Sequence, residues 1–238
     1  VKPLENDKEA PAPVRDVTYT KMSGSVLLTY TLPSDPDLLY VAASYTNKAG
    51  KKYEFKASYF TNTLLVEGFG DTDTYSLDVY AVDRSENYSE PVNIQVAADT
   101  PPVQAAYETL EVQPDFGGMT FSFDNASKAD LTVYVSTPNA DNEMVNAETF
   151  YTGLAKATFS VRGFLDVPRD FEICFEDKWG NRSPVKKENL TPIYETELDK
   201  KKFKEVILPG DFPCTFYESK MEYIWDGRAA ADGDGQTG

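Results

Sequence analysis

The 238-residue chain contains no histidine. This absence removes the commonest general base, the relay of a Ser-His-Asp triad and the usual zinc-ligating imidazole. Cysteine is scarce as well: its two thiols, Cys174 and Cys214, cannot build a zinc finger or an iron–sulfur site. Positive charge is in deficit, with 23 Lys and Arg against 39 Asp and Glu and a formal net charge of −16. A phosphate backbone would be repelled, and no basic stripe with interleaved aromatics offsets this, so nucleic acid is not an expected partner. Long apolar runs are missing too, and no membrane span is expected. What the chain does have is aromatic residues, 15 Tyr and 14 Phe, in short alternating stretches that suit strands buried on one face.

One short segment occurs twice. Leu77–Val92 reads LDVYAVDRSENYSEPV and Phe171–Val185 reads FEICFEDKWGNRSPV. With one deletion, Leu77, Val79, Asp83, Asn87, Ser89, Pro91 and Val92 correspond to Phe171, Ile173, Asp177, Asn181, Ser183, Pro184 and Val185. A smaller echo precedes each copy, Val66-Glu67-Gly68-Phe69 and Val161-Arg162-Gly163-Phe164. The spacing of about 94 residues is the size of one small β-sandwich. The predicted fold is therefore all-β: two tandem immunoglobulin/fibronectin type III-like β-sandwiches plus a short, partly helical C-terminal segment.

The expected layout is a Pro-rich tether over 1–10, sandwiches over 11–100 and 101–194, and a linker leading into an incomplete C-terminal domain over 195–238. Strands are predicted at Val14–Thr20, Ser25–Thr31, Leu39–Tyr45, Lys52–Ala57, Thr63–Phe69, Thr74–Val82 and Pro91–Val96. Ala98-Asp99-Thr100-Pro101-Pro102 reads as an extended, stiff connection. Thr137–Asn146 reads as a long polar loop, and Glu195–Val206 as a short helix stopped by Leu208-Pro209-Gly210-Asp211.

The repeated Asp-x-x-x-Asn-x-Ser stretch is read as a structural turn. Asp83 and Asp177 would accept backbone N–H bonds, Asn87 and Asn181 tolerate positive φ, and Gly180 carries no Cβ penalty. Trp179, at the tip of the second copy, is a candidate ligand-binding residue whose indole could stack on a sugar or a partner; the plainer reading has it covering a domain edge or packing against the Trp225 segment. Trp225 is the second candidate. Asp71 with Asp73 and Asp232 with Asp234 resemble fragments of calcium loops but lack the full ligand series, so no metal or cofactor is expected. No two of the many carboxylates stand out as a catalytic pair. Cys174 should face away from the core, where it either stays free or pairs with Cys214.

The repeated turn within a seven-strand pattern resembles fibronectin type III-like modules. The whole order, with Leu208-Pro209-Gly210-Asp211 and Trp225-Asp226-Gly227 at the junction, resembles a family of Bacteroidetes surface lipoproteins. There a fibronectin-like domain and a second β-sandwich precede a discoidin-like, galactose-binding-type domain. The pattern stops eleven residues after Gly227, so that last domain is expected to be missing. The resemblance implies a non-enzymatic, lipid-anchored outer-membrane protein facing outward, whose lipidated residue is not in this chain. It implies glycan capture beside a polysaccharide importer, with polysaccharide or the transporter complex as partner. An adhesion or protein-interaction module and a fragment accessory to a glycoside hydrolase are the alternatives.

Overall fold

The computed structural model describes residues 8–196, 198–204, 206 and 208–211. They belong to two units, Val1–Ile193 and Tyr194–Gly238, taken separately below.

The first unit contains two β-sandwiches of the same topology. In the first, β1 (Arg15–Met22), β2 (Ser25–Thr31) and β5 (Thr63–Glu67) form a three-stranded sheet in the order β1-β2-β5. Facing it are β3 (Leu38–Thr46), β4 (Lys52–Ser58), β6 (Tyr75–Asp83) and β7 (Val92–Val96), in the order β4-β3-β6-β7. The second sandwich repeats this with β8 (Glu111–Asp115), β9 (Gly118–Asp124) and β12 (Lys156–Arg162) against β10 (Leu131–Pro138), β11 (Met144–Thr152), β13 (Arg169–Asp177) and β14 (Lys186–Leu190). Its sheets run β12-β9-β8 and β11-β10-β13-β14. All the strand pairs are antiparallel, and the connection from β2 to β3, like that from β9 to β10, changes sheet. This is the fibronectin type III-like arrangement expected from the alternating stretches.

Alternation decides which side chains fill each core. In β2, Val26, Leu28 and Tyr30 point inward, and in β6 Leu77, Val79 and Ala81 meet them across the layer. In β9, Met119, Phe121 and Phe123 play the same part against Phe171, Ile173 and Phe175 of β13. Burying a Leu or Phe contributes about 1.5–3 kcal/mol each, so these stripes dominate the stability of each sandwich.

Three segments differ from the sequence-based expectation. The Pro101-Pro102 step does not continue an extended connection: Pro101 is the cap and Pro102 the first residue of helix α1 (Pro102–Glu108). Proline suits this place, because the first turn of a helix needs no N–H from it. Val103 and Ala106 of α1 are buried in the second core, which is what overrides the stiff-linker reading. The polar stretch 137–146 is a hairpin rather than a long loop, with Thr137 paired to Val145 and Pro138 to Met144. Asn139 Oδ1 closes its tip by accepting the N–H groups of Asp141 (2.9 Å) and Glu143 (3.0 Å).

In the second unit, the described part of the expected 195–206 helix contains a single 3-10 turn, Lys200–Lys202. With few apolar anchors, such a segment gains too little burial to offset helix nucleation. The Leu208–Asp211 turn is closed by Asp211 N–H on the Leu208 carbonyl (3.0 Å) and by Leu208 N–H on Asp211 Oδ2 (2.7 Å), with Gly210 at φ +101°.

Candidate functional site

The repeated turn folds identically in both sandwiches. Asp83 Oδ1 accepts the N–H groups of Ser85 (2.8 Å) and Asn87 (2.9 Å), and its Oδ2 accepts the Asn87 side-chain amide (2.9 Å). Asp177 does the same for Trp179 N–H, Asn181 N–H and the Asn181 amide, each at 2.9 Å. Ser89 Oγ takes the Ala81 N–H (3.0 Å), and Ser183 Oγ takes the Phe175 N–H (3.0 Å). The two side-chain oxygens of one aspartate meet three N–H groups at once, which is why Asp occupies this position twice. The residue after the tip lies in the left-handed region in both copies: Glu86 at φ +63° and Gly180 at φ +84°.

The second copy also reaches out of its own domain. Trp179, half-buried, joins the first sandwich's core cluster. Its indole stands edge-on to Tyr53 (centroids 5.5 Å apart) and Phe55 (5.6 Å), and its carbonyl accepts the Tyr53 hydroxyl (3.3 Å). Gly68, at φ +91°, makes room for the ring: a Cβ there would lie 3.1 Å from Trp179 Cδ2. Asn181 donates its amide to the Gly68 carbonyl (3.2 Å), and Lys178 Nζ lies 3.4 Å from Glu67 Oε1. Behind the indole, Tyr45 stacks on Phe69 at 4.6 Å and donates to the Glu67 carbonyl (2.9 Å). Burial, followed by the charges of Tyr53, Tyr75 and Asp177, pushes the Tyr45 phenol well above its usual range, so it stays a donor.

The joint has a second seam on the chain itself. Gly24 N–H donates to Asp99 O (3.1 Å), Asp99 N–H to Met22 O (3.0 Å), and Ser23 Oγ to Thr100 O (2.8 Å). Gly24 is required here, because at φ +59° its Cβ would sit 2.9 Å from the Pro102 ring.

A shallow notch of about 290 Å³ opens beside this joint, lined by Lys48, Asp71, Tyr75, Trp179, Asn181 and Arg182, among others. The acidic pair suggestive of a calcium loop is here: Lys48 Nζ bridges Asp71 (2.6 Å) and Asp73, so an ammonium occupies the place a cation would take. Burial, reinforced by the hydrogen bond to Asp71, pushes the Tyr75 phenol up to about 12. Against the desolvation that would raise it, Lys48, the Asp73 N–H and Tyr75 hold the Asp71 carboxyl below its usual value.

Of the candidate ligand-binding residues, then, Trp179 sits in the joint. Trp225, Asp232, Asp234 and Cys214 lie outside the described residues. Cys174 is half-buried on β13 opposite Tyr134, with its thiol against the Ser183 carbonyl (3.5 Å). Sequence reasoning did not place Tyr53, Phe55 and Gly68 in this joint. The signal for the last was the Glu67-Gly68-Phe69 echo.

Residues 11–98 match the family model described as Domain of unknown function (DUF4959). Residues 99–201 match a second one, Domain of unknown function (DUF5126). The boundary between the two matches falls on the seam at Asp99. A SusE-like protein, BT2857, is 32% identical over 53% of this chain, with a TM-score of 0.36; the chain covers 45% of that protein's structure. A two-domain fibronectin type III segment of chicken tenascin is 15% identical over 75% of this chain and 99% of its own, with a TM-score of 0.35. The chicken CNTN1 FN1–FN3 domains are 9% identical over 76% of this chain and 67% of their own, also with a TM-score of 0.35. No curated protein matches the sequence.

Proposed function

We propose that this chain is a non-enzymatic module of a cell-surface lipoprotein, a fixed-angle spacer within a glycan-capture protein that works beside a polysaccharide importer at the outer membrane. The observation that carries the reading is the Trp179 joint. An indole, an ion pair, an amide and a backbone seam clamp the second sandwich onto the end of the first. Domains strung on flexible linkers sample many angles, and a spacer that must present a ligand-binding end at a set distance gains from suppressing that freedom. The resemblance carried by Leu208-Pro209-Gly210-Asp211 and Trp225-Asp226-Gly227 supports the glycan-capture setting.

Two measurements test this. Spin labels at exposed Asn62 and Asp130, one per sandwich, should give a single narrow distance distribution in the native chain. A distribution as broad as that of a Trp179→Ala chain would remove the spacer role. Calorimetric titration with soluble polysaccharides should give heat with a longer form carrying a discoidin-like domain and little with residues 1–238. No heat with either form would remove the glycan-capture role.

A further inference from the structure

The second sandwich ends as the first one does. Gly117 N–H donates to Ile193 O (2.9 Å), Ile193 N–H to Asp115 O (2.9 Å), and Phe164 N–H to Gly117 O (2.9 Å). In the first sandwich the corresponding bonds run from Gly24 to Asp99, from Asp99 to Met22, and from Phe69 to Gly24. Both ends carry the same echo, with its glycine at φ +91° (Gly68) and φ +99° (Gly163). The pairings of Ala43 with Val79 and Val135 with Ile173 align Tyr45 with Thr137, which places Val145 where Tyr53 stands.

The two ends differ in occupancy. Gly68 is buried under Trp179, whereas among the described residues nothing lies within 4 Å of where a Cβ on Gly163 would be. Around Gly163 the apolar side chains are exposed: Leu165 is 76% accessible, Phe116 51%, Val167 50%, Ile193 45%, and Met144 and Val145 40% each. Scattered apolar residues need no explanation, but six at one end, around a glycine cradle that no described residue fills, mark a contact surface.

We infer that this end is a second docking cradle, and that its occupant is a further β-sandwich module presenting an indole-bearing turn, stacked here as the second sandwich stacks on the first. The precedent is within the molecule: Gly68 with its neighbours receives such a turn. Charge refines the partner. Glu67 faces Lys178, the residue before the indole, and Arg162 takes the place of Glu67 in the second cradle. The Arg162 side chain is 56% exposed and touches Asp115 through one nitrogen, leaving guanidinium donors for a carboxylate. The matching turn therefore carries Asp or Glu immediately before its tryptophan.

The inference deepens the spacer reading, on which it rests, but its test does not involve glycan. The 15N-labelled chain is titrated with a cyclic peptide, EDEWGNR, which is the Glu176–Arg182 turn with its lysine replaced by glutamate. Saturable amide shifts confined to Gly163, Leu165 and Val145 are expected. Binding should weaken about fivefold or more, the equivalent of roughly 1 kcal/mol, for the peptide with alanine in place of tryptophan and for a Leu165→Glu chain. Absence of saturable shifts, or shifts indifferent to the tryptophan, overturns the inference. So does concentration-dependent dimerisation of the chain that Leu165→Glu abolishes, because the occupant would then be a second copy. Loss of glycan binding alone would leave the cradle intact.

Discussion

The turns at Asp83 and Asp177 have the same internal hydrogen bonds and opposite external roles. The second carries Trp179 into the preceding sandwich, while the first has Ser85 at that position and donates its Asn87 amide to the Glu9 carbonyl (3.4 Å). The carboxylate holds the turn, and the residue two positions later decides whether the turn also joins domains. A motif can thus be conserved within a molecule for local reasons and used only once for a long-range one.

Loss of the turn carboxylates should cost the most. Asp83→Ala leaves three N–H groups without their acceptor in a buried site and should cost about 3 kcal/mol, read as a lowered urea midpoint. Asp177→Ala should cost a similar amount; a large effect in one copy only would show that the turns are not equivalent.

Next in size, Trp179→Ala should destabilise by about 2 kcal/mol, below the usual range for a fully buried tryptophan because this one is half-buried. Ser85→Ala, a much smaller truncation at the matching position, should cost less than Trp179→Ala. If the two variants unfold alike, the joint contributes nothing.

The left-handed residue also differs between the two turns. Glu86→Gly should stabilise by up to about 1 kcal/mol, by relieving a Cβ at positive φ, and Gly180→Ala should lose a similar amount. Thermal melts of both variants would detect either sign.

The smallest effect concerns the outer end. The Thr120 hydroxyl, the Phe116 N–H, Ser160 and Arg162 together hold the Asp115 carboxyl down at about 2, where the first sandwich has uncharged Met22. A depressed folded pKa contributes stability that is complete above the ordinary carboxylate value of about 4 and is lost as pH falls toward 2. Asp115→Asn should therefore flatten the acid limb of the unfolding midpoint in that window and leave pH 7 behaviour nearly unchanged.

Much of the fold was legible because it is written locally. Period-two stripes such as Met119, Phe121 and Phe123, and turn residues such as Asp177 and Gly180, act within a few positions of themselves. Helix α1 was not, because Pro101-Pro102 suits an extended link as well as a helix start, and the burial of Val103 and Ala106 that decides between them is tertiary. The joint was hidden for the same reason. Trp179 meets Tyr53 across 126 residues of sequence, and nothing near Trp179 names its partner.

The backbone seam also determines how the molecule carries tension. The chain enters the first sandwich beside Arg15 and leaves at Asp99, next to the β1–β2 turn, so β1 and β7 both run toward the exit. A pull between the two ends of the sandwich would load these strands lengthwise, with their hydrogen bonds and packing resisting together instead of opening one at a time. Resistance of that kind is a matter of unfolding rate rather than of equilibrium stability. A sandwich pulled in this way would hold its length until a whole sheet slides.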